Sequence, residues 1–198
     1  MTEHTQHHHN LAEQNDTITL GFWIYLMTDL VMFSVLFASY AVLHTSTFGG
    51  PTSHDLFKLP FVLVETCILL TSSFTTGLML LAVQKQKVKS IVSWLVVTGI
   101  LGVTFLAMEI YEFNNLIKDG ASFTQSAFLS SYFALVGTHG VHIAIGLLWI
   151  IIMIIALLRR GLSPSNARKL TLFSLFWHFL DIVWIFIFTM VYLMGTMH

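Results

Sequence analysis

Eight ionisable side chains stand inside long apolar stretches of this sequence, where such groups are rare. They are Asp29, Glu65, Glu109, Glu112, His139, His142, His178 and Asp181. A charged side chain at the centre of a bilayer costs at least about 3 kcal/mol on insertion scales, so each of them needs a partner in protein or water. Buried groups of this kind transfer protons, ligate metal or haem, or join helices by hydrogen bonds. These residues are therefore the candidates for chemistry and for a buried hydrogen-bond network.

Asp29 has the most isolated setting of the eight. It lies near the middle of its apolar stretch and has no basic residue one helical turn away. A carboxyl group in such a setting could hold a proton at neutral pH or exchange one with a partner. A structural hydrogen bond would explain the residue equally well, so both interpretations stay open here.

His139 and His142 stand three residues apart on one helix face and could ligate a metal ion or a haem. The alternative is that each imidazole bonds to a carboxylate or a backbone carbonyl of a neighbouring helix. Depth in the membrane favours Glu65 or Glu109 as the partner of His139, and Asp29 as the partner of His142.

Helical spacing groups other polar residues into faces that we expect to point into a bundle. One face of the third apolar stretch carries Thr98, Gly102, Phe105, Glu109 and Glu112. In the fifth stretch Ser174, His178 and Asp181 share a face. His178 and Asp181 can pair within their own helix, which favours a structural role for both.

The elements that must position these residues are membrane-spanning helices. The chain has 198 residues, of which 56% are hydrophobic and only 10% charged, whereas an ordinary soluble domain has about 25% charged residues. Stretches of about 20 apolar residues, enough to cross a bilayer, occur at approximately 20–43, 60–83, 91–113, 127–158 and 171–194. We predict an all-α polytopic membrane protein whose five-helix bundle occupies residues 20–198, with sequential helices as antiparallel neighbours.

The fourth predicted helix has two contrasting faces. One is a ridge of small residues formed by Ser130, Ala134, Gly137, Gly140 and Ala144, and the opposite face carries His139, His142 and Gly146. Small residues let helix backbones approach closely. This helix is therefore expected either to be central in the bundle or to lie at a contact with another subunit.

Charge and cysteine content exclude several classes of function. A net charge of -1 provides no cationic field for nucleic acid. The single cysteine, Cys67, permits no intrachain disulfide and no multi-thiolate metal site. The polar tail, residues 1–19, contains His4, His7, His8 and His9, which could form a metal-binding tract, although a solvated tail explains them better.

Basic residues predict the orientation in the membrane. Seven of the nine Lys and Arg residues fall in the second and fourth connections, so that side and the N-terminus should be cytoplasmic and the C-terminus extracytoplasmic. The same seven are candidates for contacts with anionic lipid headgroups. They are Lys85, Lys87, Lys89, Arg159, Arg160, Arg168 and Lys169.

Four ordered motifs on four predicted helices carry a family resemblance. They are GFWIYLMTD at 21–29, EIYEF at 109–113, GTHGVH at 137–142 and WHFLDIVW at 177–184. From about residue 20 to its end, the chain resembles subunit III of the haem-copper terminal oxidases. The segments LPFVLVET at 59–66 and VYLMG at 191–195 are most similar to subunit III of bacterial cytochrome bo-type ubiquinol oxidases.

The resemblance implies an integral subunit of a proton-pumping terminal oxidase in the aerobic respiratory chain of the bacterial inner membrane. That complex oxidises ubiquinol and reduces oxygen to water, with haem and copper expected in subunit I. This chain would hold no metal or redox centre, bind phospholipid, contact mainly subunit I, and have subunits II and IV as further partners. It would stabilise the catalytic subunit and assist proton supply. The carboxylate of the first shared helix, often Glu in that family, corresponds to Asp29, whose side chain is one methylene shorter.

Three alternatives accompany this interpretation. A cytochrome c oxidase would have the same kind of subunit III. A stand-alone proton-coupled transporter would use the buried acids and histidines as a relay, but the sequence has no internal repeat and no proline in any predicted span other than Pro60, the first residue of the second span. A haem-binding anchor would need two ligands at matched depth, for which His142 and His178 are the plausible pair.

Overall fold

The fold is a bundle of long helices. The computed structural model describes residues 2–43, 59–118 and 127–193, and among these residues it contains helices and short turns but no strand. The helices are α1 (Thr2–Leu43), α2 (Leu59–Gln84), α3 (Val88–Lys118), α4 (Ala127–Arg160) and α5 (Pro164–Ile187), and a π-helical segment (Phe188–Leu193) extends α5. All five helices contain a stretch long and apolar enough to cross a membrane. The predicted all-α architecture with five spans is confirmed.

Three of the spans begin earlier than hydropathy alone predicted. The first starts at Thr17 rather than 20, the third at Val88 rather than 91, and the fifth at Pro164 rather than 171. The early start of α5 follows from its N-terminal sequence. The Ser163 side chain accepts a hydrogen bond from the backbone N–H of Asn166 at 3.2 Å, and Pro164 occupies the first turn, where a missing N–H removes no helical hydrogen bond.

The N-terminal part of the chain continues into the first span. Helix α1 begins at Thr2, and its membrane-spanning part covers Thr17–Leu43. The division into a cytoplasmic tail, residues 1–19, and a transmembrane domain stays a prediction. The side chains of its four histidines, His4, His7, His8 and His9, lie outside the described residues.

Helix α5, not α4, is the most enclosed element. Of its most apolar stretch 61% is buried, against 28% for α4, and α5 packs on α1, α2 and α4. The fourth helix was expected to be central or to lie at a subunit contact, and it does pack on three helices, α1, α3 and α5, although α5 is more enclosed. The reason is the bulk of the α5 aromatic side chains, since Trp177 and Trp184 are fully enclosed. The ridge on α4 is partly uncovered, with Ser130, Ala134 and Ala144 exposed, so its role as a subunit contact stays a prediction.

The expectation that α1 and α2 are neighbours is also wrong. Helix α1 packs mainly on α4 and α5, whereas α2 pairs most extensively with α3. The connection between them, residues 44–58, has enough residues to cross the bundle at about 3.3 Å per extended residue. The turns after α2 and α4 are short, and these do join antiparallel neighbours.

Polar contacts and glycines fix α5 in the bundle. The indole N–H of Trp177 donates to Ser72 Oγ at 2.8 Å, and that of Trp184 donates to Thr66 Oγ1 at 3.1 Å. A Cβ at Gly146 of α4 would lie 2.7 Å from the Trp177 ring, and one at Gly102 of α3 would lie 3.0 Å from it. The two glycines therefore make room for one indole between α3, α4 and α5.

Candidate functional site

Asp29 and His142 form a buried pair between α1 and α4. The His142 Nε2 lies 3.6 Å from Asp29 Oδ2, and both residues are buried. The other ring nitrogen, Nδ1, lies 2.8 Å from the carbonyl oxygen of Thr138. Because a carbonyl can only accept, Nδ1 must carry a hydrogen, and Nε2 is left to face the carboxyl group. The predicted pairing of these two residues is confirmed.

The expected pairing of His139 with Glu65 or Glu109 is wrong. The His139 side chain is fully enclosed, and neither ring nitrogen has a hydrogen-bond partner among the described residues. Aromatic rings surround it instead, with centroid distances of 5.2 Å to Trp184 and 5.9 Å to Phe105. The prediction used only the depth of the residues in the membrane. The orientation of α4 about its own axis directs the imidazole of His139 towards aromatic side chains instead of the carboxyl groups.

Three carboxyl groups gather in the half of the bundle that is predicted to be extracytoplasmic. Glu65 of α2 and Glu109 and Glu112 of α3 lie within electrostatic range of one another. The hydroxyl of Tyr192 donates to Glu112 Oε2 at 3.2 Å and lies 2.9 Å from the hydroxyl of Tyr132. None of the described Lys or Arg side chains forms an ion pair with these carboxyl groups. The two tyrosines were not among the predicted site residues, since a tyrosine near a helix end is also expected from membrane anchoring alone.

Gly140 makes the enclosure of Glu109 sterically feasible. A Cβ at this position would lie 2.7 Å from Glu109 Oε1. The side chain of Glu109 is 2% exposed. One member of the small-residue ridge on α4 therefore admits a carboxyl group of α3, which the spacing of the ridge could not indicate.

His178 and Asp181 pair within α5 as predicted. His178 Nδ1 lies 3.7 Å from Asp181 Oδ2, and it also lies 2.6 Å from Ser73 Oγ of α2. Sequence reasoning missed Ser73, because a serine in an apolar helix commonly bonds its own backbone. Asp181 is buried, whereas the side chain of His178 is 43% exposed.

The described residues offer little to a metal ion. Nowhere among them do three or more His, Cys, Asp or Glu side chains come together in a way that could hold one. His139 and His142 thus lack a further protein ligand in the described part of the chain. Of the pair considered for haem, His142 bonds to the carbonyl oxygen of Thr138 and faces Asp29, and His178 lies within hydrogen-bonding distance of Ser73.

The basic residues lie at the ends of helices. They flank the turns between α2 and α3 and between α4 and α5, which occupy the same side of the membrane because consecutive spans cross it in opposite directions. All are exposed except Arg168, which is half-buried. Contacts of these residues with lipid headgroups stay a prediction.

Comparison with known proteins decides the family. The family model described as cytochrome c oxidase subunit III matches residues 1–196. The chain belongs to this family. It is 51% identical, over 96% of its length and 92% of the relative's, to cytochrome bo(3) ubiquinol oxidase subunit 3 of Pseudomonas aeruginosa. It is 48% identical to cytochrome c oxidase subunit 3 of Bacillus sp. (strain PS3), over 89% of its own length and 85% of the relative's. It is 45% identical to quinol oxidase subunit 3 of Bacillus spizizenii, over 98% of each chain.

Family membership confirms the predicted identity as subunit III of a terminal oxidase. The protein is accordingly a multi-pass membrane protein and one subunit of an oxidoreductase complex with several subunits. The hypotheses of a stand-alone transporter and of a haem-binding anchor are disfavoured by the same finding.

Proposed function

We propose that this chain is subunit III of a proton-pumping ubiquinol oxidase of the bacterial inner membrane. It packs laterally on subunit I, which holds the haem and copper, and subunits II and IV are its further neighbours. The similarity to quinol oxidase subunits of two distant bacteria, at 51% and 45% identity, carries this assignment. The relative named as a cytochrome c oxidase subunit, at 48% identity, keeps cytochrome c as the second candidate donor.

The donor is tested on the complex purified through a tag on this chain in mild detergent. Oxygen consumption is measured with ubiquinol and, in parallel, with reduced cytochrome c. We expect turnover with ubiquinol and none above background with cytochrome c. The reverse preference would contradict the assigned donor and leave the family assignment intact.

The Asp29–His142 pair supports a role in proton supply. With Nδ1 hydrogen-bonded to a carbonyl, Nε2 of a neutral ring presents a lone pair towards Asp29. One proton can therefore reside on the carboxyl group or on the imidazole, and the pair can pass it on. Asp29→Asn keeps the shape and removes this exchange.

We expect Asp29→Asn to lower proton-coupled turnover while the haem content and subunit composition of the complex stay unchanged. Asp29→Glu, which restores an ionisable group, should recover part of the activity. The measurement is oxygen consumption together with proton release from reconstituted vesicles. If Asp29→Asn pumps protons at the wild-type rate, the role of the Asp29–His142 pair in proton supply is contradicted and only a structural role remains.

The lateral contact with subunit I should stabilise the catalytic subunit. A complex prepared without this chain is expected to turn over at first and to lose activity faster during catalysis and heating than the complete complex. Adding the purified chain back before the assay is the control. Equal inactivation rates with and without the chain would contradict a stabilising role.

A further inference from the structure

One strip of α5 remains uncovered by the other described helices. Although α5 is the most enclosed helix, six residues spaced alternately four and three apart are exposed or half-buried along one side. They are Thr171, Leu175, His178, Ile182, Ile185 and Thr189. This spacing is the one with which a helix presents a seam to a second helix. His178 lies at the middle of the strip.

The imidazole of His178 lies at a depth where lipid offers it no hydrogen bond. His178 is near the centre of the span Pro164–Tyr192, about 20 Å from either end at 1.5 Å per residue. Headgroups and interfacial water do not reach this depth, and acyl chains offer no hydrogen bond. The His178 Nδ1 faces Ser73 and Asp181, whereas its Nε2 makes no hydrogen bond to a described residue.

A groove beside the strip gives a second helix room to approach. It lies between α2 and α5, has a volume of about 580 Å³, and is lined by Ser73, Phe74, Gly77, Leu81 and His178 among others. Apart from the adjoining backbone of α2 itself, no heavy atom of a described residue lies within 4 Å of the position a Cβ at Gly77 would occupy. An uncovered glycine on an apolar helix face allows close contact between helix backbones.

We propose that the groove between α2 and α5 is the docking site for a transmembrane helix of another subunit, which presents a hydrogen-bonding side chain to His178 Nε2. The proposal rests on the proposed function, in which this chain packs on neighbouring subunits. A protein helix is the occupant because the groove lies within the span beside an uncovered glycine, and a side chain of such a helix supplies the hydrogen bond that acyl chains lack. The Ser73 and Asp181 contacts orient the imidazole towards the groove.

Photo-cross-linking in the complete complex tests the occupant. The amino acid p-benzoylphenylalanine replaces Phe74, which lines the groove and is 66% exposed, and in a control it replaces Ile100 of α3, which is 62% exposed. After purification and illumination, we expect a covalent product with a different subunit from position 74 and a much weaker one from position 100. Cross-linking to lipid alone, or to a second copy of this chain, would overturn the proposal. Since the complex is first shown to contain this chain and haem, either result leaves the proposed function standing.

The hydrogen bond is tested separately. We expect His178→Leu to release the neighbouring subunit in detergent about 3-fold to 10-fold more readily than the wild type, the range expected for one hydrogen bond between membrane helices. His178→Gln should recover part of the retention, and Thr104→Ala, at an exposed position of α3 outside the groove, should leave retention near that of the wild type. Wild-type retention in His178→Leu, or loss in Thr104→Ala equal to that in His178→Leu, would refute the predicted contact.

Discussion

Tyr192 shows how much a single hydroxyl group does in this bundle. It donates to Glu112 and lies within hydrogen-bonding distance of Tyr132, and both tyrosines are fully enclosed. Tyr192→Phe would remove the donor and leave buried oxygens without this partner. We expect a loss of about 1 kcal/mol and a lower apparent unfolding temperature.

Thermal unfolding of the purified complex measures this change. Tyr111→Phe is the matched control, because Tyr111 is 61% exposed and should tolerate the loss of its hydroxyl. Equal unfolding temperatures for the two variants would show that the chain of hydroxyl groups contributes nothing to stability.

Among the predicted side-chain pairs, those between residues close together in one helix were the most reliable. The pairing of His178 with Asp181 follows from helical geometry alone. The pairing of Asp29 with His142 was predictable from matched depth, whereas the same reasoning failed for His139. Depth fixes one coordinate only, and the rotation of each helix, set here by packing around Trp184 and Phe105, decides which side chains meet.

Contacts between helices depend on α5 and on the small residues that receive its aromatic rings. Gly146→Ala would place a Cβ 2.7 Å from the rigid Trp177 ring, and overpacking of this kind costs about 1–3 kcal/mol. Gly99→Ala is the control, because its Cβ would meet only Ile150, at an ordinary 3.6 Å. We expect Gly146→Ala to lower the thermal stability and Gly99→Ala to leave it unchanged. Equal stabilities of the two variants would contradict the packing around Trp177.

The hydrogen bond between Trp177 and Ser72 offers a second test of the same element. Ser72→Ala leaves the buried indole N–H without its acceptor, which should cost about 1–3 kcal/mol. Ser39→Ala is matched in chemistry, but Ser39 bonds to the carbonyl of Val35 in its own helix and is only half-buried. Unfolding temperatures of the two variants should therefore differ, and a Ser72→Ala value at the wild-type level would argue against the bond.

The helices themselves were predictable, because an apolar stretch of sufficient length forms a membrane-spanning helix whatever its neighbours are. The arrangement of the helices was only partly predictable. Short turns after Gln84 and Arg160 force the next helix to lie alongside, but the long connection at 44–58 does not, and α1 packs on α4 and α5 instead of α2. Burial order also escaped prediction, since α4 is more apolar than α5, yet α5 carries the enclosed tryptophans.

For the whole molecule, the distribution of basic residues predicts a cytoplasmic N-terminus. A periplasmic reporter enzyme fused after His198 should be active, and the same reporter fused after Gln86, in the turn between α2 and α3, should be inactive. Activity at Gln86 and none at His198 would reverse the proposed orientation and move the basic residues away from the cytoplasmic leaflet.

Association with a haem-containing oxidase is the central claim. Its most direct test is the ratio of haem to tagged chain across the elution peak of material purified from the native membrane in mild detergent. We predict a constant ratio through the peak and quinol-dependent oxygen consumption that follows it. A colourless, inactive chain eluting alone, under conditions that keep known oxidase complexes intact, would contradict the account.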